Sequence, residues 1–147
     1  MSDERVLFLC THNSARSQMA EGLLRHLSEG RVEVASAGTE ARGVHPLAVR
    51  VMAEIGIDLR DQASKTLDRF VGERWDDVIT VCDSANESCP IFPGARRRLH
   101  WSFDDPSAAT GTEEQRLIVF RRVREEIRAR IDTWLAERAA APGRRSA

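Results

Sequence analysis

The chain has 147 residues, enough for one domain around one core, with 41% hydrophobic and 31% charged residues. A formal net charge of −1 gives no field favouring nucleic acid or an anionic membrane, and no apolar run approaches the roughly 20 residues that span a bilayer. The acidic start Met1-Ser2-Asp3-Glu4-Arg5 lacks a signal-peptide apolar region, and three cysteines make a poor disulfide framework, so a reducing, cytoplasmic setting is expected.

Taken in chain order, the apolar run Val6-Leu7-Phe8-Leu9 predicts a strand over Arg5 to Cys10. Ala20, Leu23, Leu24 and Leu27 then share one helix face, with Gly30 as the stop signal. A second strand is predicted over Val32 to Ala37. Leu47, Val51, Met52 and Ile55 form another helical stripe before Gly56. Asp77 to Cys82 and Arg97 to Trp101 read as the third and fourth strands. The last helix opens with Thr112-x-x-Gln115, a capping-box pattern, and carries the stripe Phe120, Val123, Ile127, Ile131, Trp134 and Leu135. The small, basic, Pro/Gly-interrupted residues 139–147 read as a frayed tail, leaving a domain over residues 1–138. Alternating strands and helices predict a single-domain α/β fold with a parallel sheet and right-handed crossovers. Sites in such folds lie beyond the carboxyl ends of the strands. Cys10 and Cys82 each end a predicted strand, so both fall on that edge.

The run Cys10-Thr11-His12-Asn13-Ser14-Ala15-Arg16-Ser17 sets a thiol and a guanidinium on a strand-to-helix turn. Only a thiolate attacks well, and helix N-terminal amides stabilise both a thiolate and a bound anion. Successive loop amides form an anion-binding nest. Arg16 adds a planar fork of donors suited to phosphate or arsenate oxygens. The Ser17 hydroxyl can donate to the sulfur, and Asn13 tolerates the positive φ that a tight loop needs. Cys10 is therefore the candidate nucleophile, and Thr11, His12, Asn13, Ser14, Ala15, Arg16 and Ser17 are candidate oxyanion-binding residues. The plainer alternative is a buried strand-end cysteine beside a surface arginine.

Cys10-x5-Arg16-Ser17 in this context resembles the low-molecular-weight protein tyrosine phosphatase family. The longer run through Ser17-Gln18-Met19-Ala20-Glu21-Gly22 resembles its thioredoxin-coupled arsenate reductase branch. The resemblance extends from Val6 to the last helix and implies a four-stranded parallel sheet flanked by helices. It also implies arsenate as substrate, with phosphate or sulfate as mimics, thioredoxin as electron donor and a weak phosphatase side activity. Some members hold a monovalent cation, potassium, behind the loop with residues matching Asn13 and Ser36. His12 stands where many members have glycine, and Ala15 where some carry an extra cysteine outside the reaction cascade. A monomer is expected, with no nucleic-acid or membrane partner.

The other two cysteines lie in Cys82-Asp83-Ser84-Ala85-Asn86-Glu87-Ser88-Cys89-Pro90. Their spacing does not fit the short CxxC of zinc sites, which leaves two unrelated thiols or a redox pair. Ser84-x-x-Glu87 is a capping box, predicting a short helix in the reduced protein. At about 1.5 Å per residue that helix would hold the two Cα atoms roughly 10 Å apart. A disulfide needs about 4.4–6.8 Å, so oxidation would have to unwind the segment. The resemblance implies an order of events. Cys10 attacks arsenate, Cys82 attacks Cys10 and expels arsenite, and Cys89 attacks Cys82 to leave a Cys82–Cys89 disulfide for thioredoxin.

Expelling oxygen from arsenic requires a proton donor. Trp101-Ser102-Phe103-Asp104-Asp105-Pro106 offers two carboxylates. The family's Asp-Pro pair points to Asp105, which Pro106 restricts to extended geometry. Asp104 is the choice if the loop is rotated by one residue, and an Asp-Pro turn is the plainer reading. Ala95-Arg96-Arg97-Arg98 reads as a charged edge strand rather than a nucleic-acid patch. His12, His26, His45 and His100 show no metal-ligand spacing. Two rivals remain: a tyrosine phosphatase on the same loop, and a non-catalytic anion-binding redox sensor. The chain has no tyrosine to flank the acid of such a phosphatase, and the Cys82/Cys89 pair would be idle in one.

Overall fold

A computed structural model describes residues 4–83 and 89–140. Strands β1 (Glu4–Cys10), β2 (Val32–Gly38), β3 (Trp75–Thr80) and β4 (Ala95–His100) form one sheet in the order β2-β1-β3-β4, with every neighbouring pair parallel. Helices α1 (Arg16–Leu27), α2 (Pro46–Ala53) and α3 (Glu113–Ala140) complete the four-stranded α/β domain expected from the sequence.

β1 is a continuous apolar run because it is interior to the sheet and covered on both faces. Alternation along the pleat sends Val6, Phe8 and Cys10 to one face, where they meet Met19 and Leu23 of α1, Val51 of α2, and Phe120 and Ile127 of α3. Leu7 and Leu9 face the other way, against Trp75, Val78 and Phe92, with Leu67 and Phe70 of a short 3-10 turn packed beside them. The stripe predicted on α3 is buried from Phe120 to Trp134, and Leu135 packs partly buried against it. Its capping box forms as expected. Thr112 N donates to Gln115 Oε1 at 2.8 Å, and Gln115 N donates to Thr112 Oγ1 at 3.1 Å.

Element boundaries differ from the sequence reading in several places, β3 beginning at Trp75 rather than Asp77 among them. β3 ends at Thr80 rather than Cys82 because the β4 ladder stops at His100. Beyond it, Val81 N still donates to Leu9 O at 2.9 Å. β4 begins at Ala95, opposite Trp75, and stops before Trp101. Its three arginines hide the alternation that marks a strand. Ile55 lies past α2, in a turn that Gly56 closes with φ 82°. β4 is an edge strand, as its charges indicated. Ala139 and Ala140 close α3, while residues 141–147 and the Ser84–Glu87 capping box lie outside the described residues. Among the described residues, no helix is long and apolar enough to cross a membrane.

Candidate active site

β1 delivers Cys10 to the carboxyl edge of the sheet, and α1 begins at Arg16. Ala15 at the helix N-cap makes no side-chain cap hydrogen bond, so no capping side chain takes up the first amides of α1. Cys10 is 2% exposed, and its Sγ lies 2.8 Å from Ser17 Oγ. Asn13 takes φ 46°, the left-handed turn that its short polar side chain tolerates. Asn13 Nδ2 donates to Ser17 Oγ and to Ser36 Oγ, both at 2.9 Å. With Asn13 as donor to its oxygen, Ser17 keeps its hydroxyl proton free to point at Cys10 Sγ.

The loop carbonyls are drawn outward one after another. Thr11 O accepts from Glu40 N (2.9 Å) and Thr39 Oγ1 (3.0 Å), His12 O from Arg42 N (3.2 Å), Asn13 O from Ser64 Oγ (2.8 Å) and Ser14 O from His45 N (3.0 Å). A planar trans peptide points each following N–H the opposite way, which turns a series of amides inward. β2 presses close behind. A Cβ at Gly38 would lie 2.8 Å from Asn13 N, Cys10 O and Thr11 O. The sequence reading ended this strand at Ala37 and gave Gly38 no role. Its signal was a glycine at the end of the strand beside Cys10, which is its register partner. His12 turns away to Glu40, with Nε2 3.4 Å from Oε1.

Arg16 is buried, with Nη1 donating to Phe103 O at 3.2 Å and Nη2 3.6 Å from Asp105 Oδ2. The other oxygen of Asp105 accepts from Ser107 N (3.0 Å) and Ser107 Oγ (2.6 Å), capping the 3-10 turn Pro106–Ala108 and leaving Oδ2 toward the guanidinium. Asp104 points elsewhere and pairs with Arg122 of α3 at 3.1 Å. Of the two carboxylates, Asp105 is the one brought to the loop. Trp101 carries this segment off β4: its N–H donates to Thr80 O at 2.8 Å, and its ring packs 5.9 Å from Phe8.

The hydrogen bond from Val81 to Leu9 sets Cys82 just beyond the strand that flanks Cys10. Cys82 is fully buried and bonded to the partly exposed Cys89, with the Cα atoms 6.1 Å apart, while Cys10 is a free thiol. Beside Cys89, Ile91 is 80% exposed between two clefts. One of about 360 Å³ is lined by Val78, Cys89, Pro90 and Leu99, and one of about 370 Å³ by Leu67, Val71 and Pro93.

Behind the loop, Ser36 Oγ donates to Glu21 Oε1 at 2.6 Å, and Arg25 Nη2 meets Glu21 Oε2 at 2.6 Å. Lys65 Nζ stands 3.7 Å from Glu21 Oε1. Burial lowers the Lys65 pKa, with Glu21 opposing it. Asn13 and Ser36 thus meet directly behind the loop, and Asn13 Oδ1 accepts from Gln18 Nε2 (2.9 Å) and Lys65 N (2.7 Å). Ser64 and Lys65 were not singled out from sequence, because their contacts with Asn13 span 51 and 52 positions. Among the described residues, no group of three His, Cys, Asp or Glu could hold a metal ion. His45 caps α2, its Nδ1 accepting from Leu47 N at 3.0 Å and its ring 4.8 Å from Phe120.

Residues 5–141 match the family model for low molecular weight phosphotyrosine protein phosphatase. The arsenate reductase of Halalkalibacterium halodurans is 48% identical over 134 residues, covering 91% of this chain and 96% of that protein. Among solved structures, an arsenate reductase in the phosphate binding state superposes with a TM-score of 0.77 at 34% identity, covering 91% of this chain and 98% of that one. A thioredoxin-dependent arsenate reductase of Corynebacterium glutamicum gives 0.67 at 30% identity, covering 95% of this chain and 64% of that one.

Proposed function

This chain belongs to the low molecular weight phosphotyrosine protein phosphatase family, and we propose that it uses the oxyanion loop of that scaffold to reduce arsenate to arsenite. The loop amides and Arg16 hold three arsenate oxygens, and Ser17 donates to the Cys10 thiolate. Cys10 attacks arsenic, Asp105 protonates the departing oxygen, and water leaves. A sulfur–arsenic bond has formed and no electron has moved. Cys82 as thiolate then attacks Cys10 Sγ. The sulfur–arsenic bond breaks with its electron pair going to arsenic, arsenite leaves, and a Cys10–Cys82 disulfide remains. Cys89 attacks Cys82 in turn and releases Cys10 as thiolate. The Cys82–Cys89 disulfide is reduced by an external dithiol, which supplies two electrons and two protons.

The observation that carries this reading is the Cys82–Cys89 bond just past the strand beside Cys10. A phosphatase needs only the first thiol, whereas a relay needs a second within reach of the first and a third nearer the surface. We take thioredoxin as the dithiol. The thioredoxin-dependent relative and the apolar clefts beside Cys89 support that choice. A reducing cytoplasm suits such chemistry, a single copy supplies every residue named, and the same loop should hydrolyse phosphoesters slowly.

The test is arsenate turnover with thioredoxin, thioredoxin reductase and NADPH. Cys10→Ser and Cys82→Ser should make no arsenite. Cys89→Ser should make about one arsenite per enzyme and then stop. Full turnover by Cys89→Ser with thioredoxin as sole reductant would sink the relay. Disulfide formation without arsenite would favour the sensor, and phosphoester hydrolysis alone the phosphatase.

A further inference from the structure

Glu21 is a carboxylate only 6% exposed, on the first helix behind the Cys10 loop. A buried carboxylate is costly unless it is paired and hydrogen-bonded. One line of hydrogen bonds joins it to the nucleophile. Ser36 Oγ donates to Glu21, Asn13 Nδ2 donates to Ser36 Oγ and to Ser17 Oγ, and Ser17 meets Cys10 Sγ. Two cations hold the far end: Arg25 on Oε2, and Lys65 Nζ 3.7 Å from Oε1. Lys65 is tied to the loop by its backbone as well. Its N–H donates to Asn13 Oδ1 at 2.7 Å, and its carbonyl accepts from Gly38 N at 2.9 Å. Its side chain is 11% exposed, so the fold rather than the solvent sets where its ammonium stands.

A potassium ion beside Asn13 and Ser36 does not fit these donors. Such an ion replaces its hydration shell with several oxygens that have lone pairs to give. Asn13 Oδ1 already accepts from Gln18 Nε2 and Lys65 N, and Asn13 presents an N–H rather than an oxygen to Ser36. Glu21 Oε1 is shared between a hydroxyl and an ammonium. Two cationic side chains on one carboxylate would repel a third positive charge. We propose that Lys65 is a positioning residue that serves as the loop's own tethered counter-cation. It braces Glu21, Ser36 and Asn13 so that the oxyanion loop keeps its order without a bound monovalent ion.

The inference rests on the oxyanion loop of the proposed reaction, but it is read by phosphate binding, melting temperature and Cys10 alkylation, none of which requires arsenate reduction. Inorganic phosphate is titrated calorimetrically into the full chain in NaCl and in KCl at equal ionic strength. Melting temperature and the rate of Cys10 alkylation by iodoacetamide are followed in the same two salts. Wild type should give the same values in both. Lys65→Met should bind phosphate about tenfold more weakly in NaCl, the scale seen when support behind a ligating group is removed, and KCl should restore part of the loss, potassium taking the ammonium's vacated place beside Glu21 Oε1. Lys65→Arg should stay near wild type. Tighter phosphate binding by wild type in KCl would overturn the proposal. So would a Lys65→Met variant matching wild type in NaCl, or one whose loss potassium and sodium relieve equally. If Lys65→Met does not fold, the wild-type salt comparison and Lys65→Arg still decide. Failure of the arsenate reading would show differently, as a wild type that binds phosphate equally in both salts yet makes no arsenite.

Discussion

With Asn13 Nδ2 already donating to its oxygen, the Ser17 hydroxyl has its proton left for Cys10 Sγ, 2.8 Å away. A hydrogen bond to a charged group contributes about 1.5–3 kcal/mol. Ser17→Ala should therefore slow iodoacetamide alkylation of Cys10 at neutral pH by about tenfold, since about 1.4 kcal/mol is one decade. An unchanged rate would mean that the thiolate is held by the loop amides alone. At Gly38, an added methyl would press on three backbone atoms of the loop, none of which can swing aside. Gly38→Ala should abolish measurable phosphate binding in calorimetry even where circular dichroism shows a folded chain. His45 responds to acid. Burial lowers its pKa from the ordinary 6.5, helped by Arg116 and opposed by Asp105. Just below pH 6.5 the unfolded chain therefore binds a proton that the folded chain refuses, and stability falls as the pH drops through that window. Protonation also removes the acceptor that Leu47 N uses. His45→Asn keeps a capping acceptor without the titration. Its melting temperature should fall less than that of wild type between about pH 7.5 and 5.5, and parallel curves would exclude His45 as the source.

Among the elements, α3 and the segment after Cys89 make opposite predictions. Ile127 is fully buried between α3 and the sheet, so Ile127→Ala should cost about 2–5 kcal/mol in urea unfolding. Ile91 is exposed between the two clefts, so Ile91→Glu should leave the urea midpoint nearly unchanged. It should slow turnover with thioredoxin more than turnover with a small dithiol, and equal slowing by both would remove this face as the thioredoxin contact. The elements were largely legible because most of them bury a periodic stripe. β1 reads as apolar throughout, α3 repeats at helical spacing, and the Cys10 loop has its chemistry in eight consecutive residues. β4 was less legible because none of its residues is buried and its arginines find partners off the strand, as Arg97 does with the buried Asp77 of β3 at 3.2 Å. The support behind the loop was barely legible: Gly38 stood only as a glycine at a strand end, and Ser64 and Lys65 acquire their roles through packing that brings distant segments against Asn13, which no local pattern records.

Across the whole molecule, sheet order decides what chemistry is available. Because β3 is the neighbour of β1, the chain emerging from each strand brings Cys10 and Cys82 to one edge. A helix on that side of β1 would have separated them. Thiol titration after denaturation should find one free cysteine in protein with the Cys82–Cys89 bond and three after full reduction. Only the reduced form should consume arsenate. Conversion of arsenate by protein showing one free thiol would place the reducing electrons outside this pair.

Trp101 leads from the end of β4 into the segment bearing Asp105, and its own amide is bonded to the strand that runs on to Cys82. The chain has three tryptophans and no tyrosine, and Trp75 belongs to the cluster that also holds Phe92 near Cys89. Ultraviolet emission from this protein is therefore purely indole emission, with one chromophore, Trp101, on the backbone path between the acid and the relay. Stopped-flow fluorescence, without any attached dye, gives a way to time oxyanion arrival and disulfide transfer.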